Sequence, residues 1–364
     1  MKRANPNFII RLFRKTKSGV ILGLNVLFLL SILSNMVPPS KTALLAPFGF
    51  IIVPMVVIHT ALFLLYFRSK IMVSVIALGL LIFSSKFVPS TFNLRASSED
   101  RGIRVMTWNV KNFDLYNWTK NKYTRAKMIE KIDSVDADII CFQEFYTNDF
   151  EFNNIKSIKK LGYSYYAFYP AYTQPSGNRW GLAIFSKYPI KKQKTIALHK
   201  SKNKMNVGAF AEIDVKGRIY RVFNAHFQSI HFDYKDYNYL SDVERKPGMF
   251  NYLQSKALLR KILPSYVQRE SQVLKLLDRI GDNPQTILCC DLNDIPNSYA
   301  YHLLLRNLND AFLERGSGFS NTINIVSSLF RIDYVFASKD VKILNYKRLK
   351  TALSDHNMVV VEFE

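Results

Sequence analysis

Leu353-Ser354-Asp355-His356-Asn357 runs straight into Met358-Val359-Val360-Val361-Glu362-Phe363 near the carboxyl end of the chain. An acid and an imidazole stand side by side just before an apolar β run. A side chain at the mouth of a buried strand is held by the sheet and still reaches solvent. That is where a reacting group belongs. Alone, Ser-Asp-His is a weak signal. It gains weight because other polar groups recur in the same setting, each at the end of an apolar strand. They are Asn109, Glu144, His226 and the pair Asp291 and Asn293, with Asp333 inside Arg331-Ile332-Asp333-Tyr334 as a further one.

Outward from that stretch the chain reads as strands separated by helices. Ile103 to Val110 alternates with the period of a half-buried strand and ends at Asn109. Tyr123 to Val135 has helical spacing. Asp138 to Phe142 is continuously apolar, as in a strand covered on both faces, and leads into Gln143-Glu144. Tyr163 to Tyr169 and Trp180 to Ser186 are further strands. Gly208 to Val215 and Arg218 to Ala225, joined by Lys216-Gly217, form a hairpin whose second strand runs into His226. Asn251 to Ile280 is helical in pattern, interrupted at Pro264. Gln285 to Cys290 is a short buried strand ending at Asp291, and Asn297-Ser298 can cap a short helix reaching Arg306. Ile332 to Ala337, Val341 to Leu349 and Val359 to Phe363 close the domain. Strands outnumber helices, which predicts an α/β domain of two packed sheets with helices outside. The strand-end polar groups would then collect along one edge.

The first quarter of the chain has a different composition. Residues 1–94 hold ten Lys/Arg and neither Asp nor Glu, so +10 of the net +22 lies there and +12 in the remainder. Three apolar stretches, 18–37, 47–67 and 71–88, predict three transmembrane helices within a membrane anchor over residues 1–88. Asn25 and His59 lie inside these stretches and read as helix-contact residues. Six basic residues precede the first span, one lies in the first loop and two in the 68–70 turn. That bias places residues 89 onward outside a cytoplasmic (inner) membrane, extracytoplasmic or periplasmic. Residues 89–102 read as a linker with a reach of at most roughly 45 Å.

The three cysteines lie in apolar runs and fit neither a disulfide framework nor a zinc site. A basic domain favours anionic partners, although a solvated lysine surface has the same composition. Carboxylates, amides and two histidines form an oxygen-rich set that suits a hard divalent ion such as Mg²⁺ or Mn²⁺. A His-Asp pair beside such an ion suits in-line attack of water on phosphorus. No Ser or Cys sits in a nucleophile-elbow context, which disfavours acyl transfer, and no Gly-rich phosphate loop is present.

Residues 103–364 resemble the endonuclease/exonuclease/phosphatase superfamily, which includes deoxyribonuclease I, apurinic endonucleases, neutral sphingomyelinases and inositol-polyphosphate 5-phosphatases. The matching pieces are Thr107-Trp108-Asn109-Val110, Phe142-Gln143-Glu144, Asn224-Ala225-His226-Phe227, Asp291-Leu292-Asn293-Asp294, Arg331-Ile332-Asp333-Tyr334 and Ser354-Asp355-His356. The resemblance implies a four-layer α/β/β/α sandwich. It implies metal ligation by Glu144, helped by Asn109 and, as an auxiliary ligand, Asp355. It implies that Asp291 aligns or deprotonates water, that Asn293 contacts phosphate, and that His356, oriented by Asp333, acts on the phosphoryl group. His226 is similar to a second histidine found in the deoxyribonuclease, sphingomyelinase and 5-phosphatase branches. Where some members carry an acid two residues after the asparagine, this chain has Lys111, which contacts phosphate or is solvated. His199, His231 and His302 match no motif. The implied activity is a metal-dependent phosphoesterase acting on a lipid headgroup, nucleic acid or small phosphorylated molecule. The alternatives are a tethered nuclease and an inactive scaffold. The segment 229–250, rich in Tyr and Lys, reads as a substrate-binding or membrane-facing insertion.

Overall fold

The computed structural model describes residues 6–85, 90–95, 102–198, 207–230, 235, 236, 239, 251–324 and 330–364, with side chains from Ser18 onward. His199, His231 and most of the 229–250 segment lie outside the described residues. The chain divides into two compact units, Met1–Val88 with Asn297–Tyr299, and Pro89–Pro296 with Ala300–Glu364.

The first unit is helical. It comprises α1 (Pro6–Leu33), a 3-10 segment (Ala43–Ile51) continuing into α2 (Ile52–Tyr66), and α3 (Ile71–Ser84). Of the three expected spans, Ala43–Tyr66 is long and apolar enough to cross a bilayer. The apolar helical parts Ser18–Leu33 and Ile71–Ser84 are shorter. At ~1.5 Å per residue Ile71–Ser84 falls short of a ~30 Å hydrocarbon core, whereas α1 as a whole runs from Pro6 to Leu33. Asn25 and His59 pair with each other, His59 Nε2 lying 3.2 Å from Asn25 Oδ1 and its Nδ1 2.9 Å from the Met55 carbonyl. Two polar groups in apolar helices thus satisfy one another.

The second unit holds two six-stranded sheets. The first runs β13 (Ile343–Leu349), β14 (Met358–Phe363), β2 (Ile103–Asn109), β3 (Ile139–Thr147), β5 (Arg179–Ser186), β4 (Tyr165–Thr173). The second runs β10 (Asn309–Asp310), β12 (Asp333–Ala337), β9 (Thr286–Asp291), β8 (Arg218–His226), β7 (Gly208–Val215), β6 (Ile190–Ile196). Each sheet contains one parallel pair, β2 with β3 and β8 with β9, and is otherwise antiparallel. The strand period explains the layers. Val105, Ile139, Cys141 and Ile184 of the first sheet meet Ala209, Val222, Ile287 and Val335 of the second in one core. The alternate residues Met106, Trp108, Ile140 and Phe142 face outward onto α4 (Thr124–Val135) and α5 (Asn154–Lys159). On the other side lie α6 (Tyr252–Ile280) and α7 (Tyr299–Leu305), with Tyr301 ring-packed on Tyr334 and Phe336. The order of layers is helix, sheet, sheet, helix.

Three local readings differ from expectation. Helix α6 passes through Pro264 without a break. Its buried residues, from Ser265 to Ile280, all follow the proline, so packing of that half offsets the ~3 kcal/mol a proline costs inside a helix. Strand β6 has no counterpart in the sequence reading. It is an edge strand carrying Lys191, Lys192 and Lys194, and lysines of that kind guard an edge while erasing the hydrophobic alternation. Part of the linker segment is docked. β1 (Phe92–Leu94) pairs with β11 (Ser317–Phe319), and Asn93 donates to the carbonyls of Phe312 and Leu313. The cause lies in Arg331, which is fully buried. Its guanidinium is held by Asp310 at 2.7 Å and donates to the Ser90 carbonyl at 3.0 Å.

Candidate active site

The two parallel pairs point the same chemistry at one edge. β2 ends at Asn109, where its pairing with β3 stops at Gln143 just before Glu144, and β8 and β9 end side by side at His226 and Asp291. An antiparallel neighbour starts where its partner ends, so β12 opens at Asp333 opposite Asp291, and β14 opens just after Asp355-His356. All the strand-end groups expected from sequence therefore converge.

Glu144 reaches the edge through a bulge. The pairing of β3 with β5 slips between Phe142 and Phe145, and Glu144 takes a left-handed conformation (φ 48°). The slip frees backbone carbonyls, and Asn224 of the opposite sheet takes them up. Its amide donates to Phe142 O at 2.9 Å and Ala183 O at 3.1 Å. Gln143 donates in turn to Asn224 Oδ1 at 2.8 Å and Thr107 Oγ1 at 2.9 Å. Gln143 and Asn224 are both fully buried. Sequence reasoning quoted both only as neighbours of Glu144 and His226. Their signal was a polar residue within an apolar strand, which must find partners.

Asn109 lies at the centre. Its amide donates to Asp291 Oδ2 at 2.9 Å and to Glu144 Oε1 at 3.3 Å, while its Oδ1 accepts from Lys111 N at 3.0 Å. His226 Nε2 stands 3.6 Å from Asp291 and 3.8 Å from Glu144. Asn293 N donates to Asp291 Oδ1, and its side-chain amide donates to the Phe227 carbonyl at 3.1 Å. His356 Nδ1 is 2.9 Å from Asp333 Oδ2 and 4.0 Å from Asp291, and both acids are buried. That geometry leaves Nε2 for a substrate. His356 is itself fixed by its backbone. Trp108 Nε1 donates to its carbonyl at 3.0 Å, and its N–H reaches Ser354 Oγ, which also donates to Asn109 O at 2.8 Å. Asp333 N is capped by Thr322 Oγ1 at 3.0 Å. Burial opposes the charge on His356, but Asp333 beside it overrides that cost and lifts the imidazole to about 10.

Lys111 and Asp355 lie together at the rim. The Lys111 ammonium is 2.6 Å from Asp355 Oδ2, and it sits over the ring of Trp118. Asp355, expected as an auxiliary metal ligand, thus faces a lysine. His302 lies in α7.

The donors fit a divalent cation. Glu144 and Asp291 have no Lys or Arg partner among the described residues, and a hard ion prefers oxygen donors at such an uncompensated pair. A tighter grouping is formed by Asp291, Asp333 and His356, whose ligand atoms lie within 4.8 Å of one another. It is dry, and its ring nitrogen is already committed to Asp333. Glu144 and Asn109 are the better holders, because the Glu144 side chain is partly open to solvent.

The endonuclease/exonuclease/phosphatase family matches residues 106–356, well over half of the chain and inclusive of every group described above. Comparison with curated proteins gives no significant match. Among solved structures, the human Nocturnin catalytic domain with bound sulfate is similar at TM-score 0.53 and 20% identity, covering 72% of this chain and 93% of that one. An endonuclease/exonuclease/phosphatase from Bacteroides vulgatus is similar at 0.53 and 16%, covering 73% and 99%. ANGEL2, described as a 2',3'-cyclic phosphatase, is similar at 0.52 and 15%, covering 73% and 96%. At these identities the likeness is one of fold. With the family matched across the whole site, the chain belongs to the endonuclease/exonuclease/phosphatase family, whose members are hydrolases of phosphoester bonds.

Proposed function

We propose that the protein is a divalent-metal-dependent phosphoesterase held at a membrane by its amino-terminal helices, acting on a phosphorylated lipid headgroup or other envelope phosphoester. One observation carries the catalytic part: the unbroken line of contacts Glu144, Asn109, Asp291, His356, Asp333 at the shared edge of the two sheets. Bound Mg²⁺ or Mn²⁺, held by Glu144 and Asn109, supplies positive charge to the phosphoryl oxygens. Asp291, fixed by Asn109 and the Asn293 backbone, accepts the proton of the attacking water. His356, with Nδ1 held by Asp333, presents Nε2 to the phosphoryl group as a cationic donor. His226 adds a second imidazole beside Glu144 and Asp291. Asn293 contributes its backbone to Asp291, and its amide, which keeps a second N–H beyond the Phe227 bond, contacts the phosphate.

The membrane part rests on the apolar Ala43–Tyr66 helix, the two shorter apolar helices beside it in sequence, and a first quarter without acids. The Lys/Arg bias places the catalytic unit on the extracytoplasmic side. A nuclease reading draws on a basic cavity of about 590 Å³, lined by Lys192, Lys194, Arg221, Lys275 and Arg279. A strand of phosphates would occupy such a cavity and release counterions.

The test uses the full chain in detergent or nanodiscs, with Mg²⁺ and then EDTA, on phospholipid and sphingophospholipid vesicles beside single- and double-stranded DNA. Metal-dependent cleavage of lipid alone supports the reading. Cleavage of DNA alone, with a steep loss on added salt, replaces it by a tethered nuclease. Silence on every phosphoester with no Mn²⁺ bound would make the domain a scaffold.

A further inference from the structure

We propose that Lys111 is the second cation of the catalytic centre: the site takes one divalent ion, at Glu144 and Asn109, and Asp355 serves the lysine instead of an ion. This rests on the metal reading of the preceding section and adds the number of ions and the identity of the other positive charge.

Charge balance points first in this direction. Four carboxylates meet at the edge: Glu144, Asp291, Asp333 and Asp355. Asp333 is answered by His356 at 2.9 Å and Asp355 by Lys111 at 2.6 Å. Glu144 and Asp291 are left without a cation of their own: the His226 ring stands at 3.8 and 3.6 Å, and His356 Nδ1, already on Asp333, is 4.0 Å from Asp291. Two uncompensated carboxylates match one divalent ion. Asp355 has little left to offer another, since Oδ2 holds the ammonium and Oδ1 lies 3.3 Å from Ser354 Oγ.

The backbone is built to hold the lysine there. Lys111, Asn112, Phe113 and Asp114 are four successive left-handed residues, with φ of 41°, 58°, 55° and 58°. Each such non-glycine residue costs about 1–2 kcal/mol, so the run persists only where its surroundings over-determine it. They do so at three of the four positions. Lys111 N is bonded to Asn109 Oδ1. Phe113 is fully buried against Phe145 and Phe142, at 5.3 and 6.0 Å between ring centres. The buried Asp114 carboxylate accepts from both N and Oγ1 of Thr119. The turn returns Trp118 over the ammonium, fixing it by a cation–π contact as well as an ion pair. Trp118 and Asp355, the two partners of the ammonium, also line an open pocket of about 560 Å³ together with Lys350 and Thr351.

Mn²⁺ binding to the full chain in detergent, counted by electron paramagnetic resonance, tests this. One Mn²⁺ per chain is expected. Asp355→Asn should leave Mn²⁺ affinity nearly unchanged, whereas Glu144→Gln should weaken it about 10–100-fold. Lys111→Asp places an acid that tolerates the left-handed backbone opposite Asp355, and should raise the count to two. Lys111→Met should lower turnover about 10²-fold at saturating Mn²⁺ with binding intact. Two tight Mn²⁺ ions in the unaltered protein, or an Asp355→Asn loss equal to that of Glu144→Gln, overturns the assignment of Lys111 and spares the metal reading. Unchanged Mn²⁺ binding in Glu144→Gln overturns both.

Discussion

The two sheets have the same strand plan and opposite surroundings. Each sets a parallel pair at its centre, flanks it with an antiparallel strand that starts at the site, and delivers groups to one edge. In the first sheet β3 bulges, and Glu144, Lys111 and Asp355 end partly open to solvent. In the second sheet β8 and β9 stay in register to their last residues, and Asp291 and Asp333 end dry. His356 comes from the first sheet but leans into the second, onto Asp333. Equal topology thus serves two tasks. On the proposed function the wet half would exchange ions and substrate, and the dry half would hold protons in fixed positions, where low dielectric strengthens each interaction.

The largest expected effect breaks the dry half. His356→Ala should lower turnover about 10²–10⁴-fold, the usual worth of a positioned proton donor, with Mn²⁺ affinity nearly unaltered. Single-turnover kinetics beside Mn²⁺ titration would check it. Unaltered turnover would remove His356 from the chemistry and leave the line of contacts as a structural feature.

How much of this was legible in the sequence follows from the same contrast. Strand ends were legible, because apolar runs stop where the acid or amide begins: Asn109, His226, Asp291 and Asp333 are each the first or last residue of a strand. The bulge at Glu144 was not, since a slip of pairing leaves the composition unchanged. Nor was the pairing of Lys111 with Asp355, which joins residues 244 positions apart and depends on a left-handed turn that lacks glycine. The Lys-rich β6 escaped because an edge strand needs no alternation. Three apolar stretches were visible as helices, yet helix length, which the stretch alone overstates, limits Ile71–Ser84.

A smaller effect is made in one sheet and read in the other. Asn224→Ala removes a β8 side chain and orphans the Phe142 and Ala183 carbonyls and one N–H of the Gln143 amide. At about 1–3 kcal/mol for each buried unsatisfied group, stability should fall by about 3 kcal/mol. Glu144 sits on the bulge those bonds hold, so Mn²⁺ affinity should fall about tenfold as well. Denaturant unfolding and Mn²⁺ titration would separate the two. A stability loss with unaltered Mn²⁺ affinity would show that the bulge holds without its cross-sheet support.

The smallest effect distinguishes the two ion pairs by what screens them. His356 is lifted from 6.5 to about 10, with burial opposing its charge and Asp333 overriding that cost. Between those values the folded chain keeps a proton that the unfolded chain releases. The resulting stabilisation is complete below 6.5 and is lost as pH rises through about 10. In metal-free protein the melting temperature should therefore decline by about 5 °C across this window. In His356→Gln that decline should vanish. Salt should hardly alter it, because the pair is enclosed. The pair of Lys111 and Asp355 is partly exposed, with side-chain accessibilities of 30% and 13%, and should respond to salt instead. Thermal melts across pH and salt, for the unaltered protein beside His356→Gln and Asp355→Asn, resolve both. An alkaline decline that persists in His356→Gln would place the titrating group elsewhere and leave the dry half without a proton of its own.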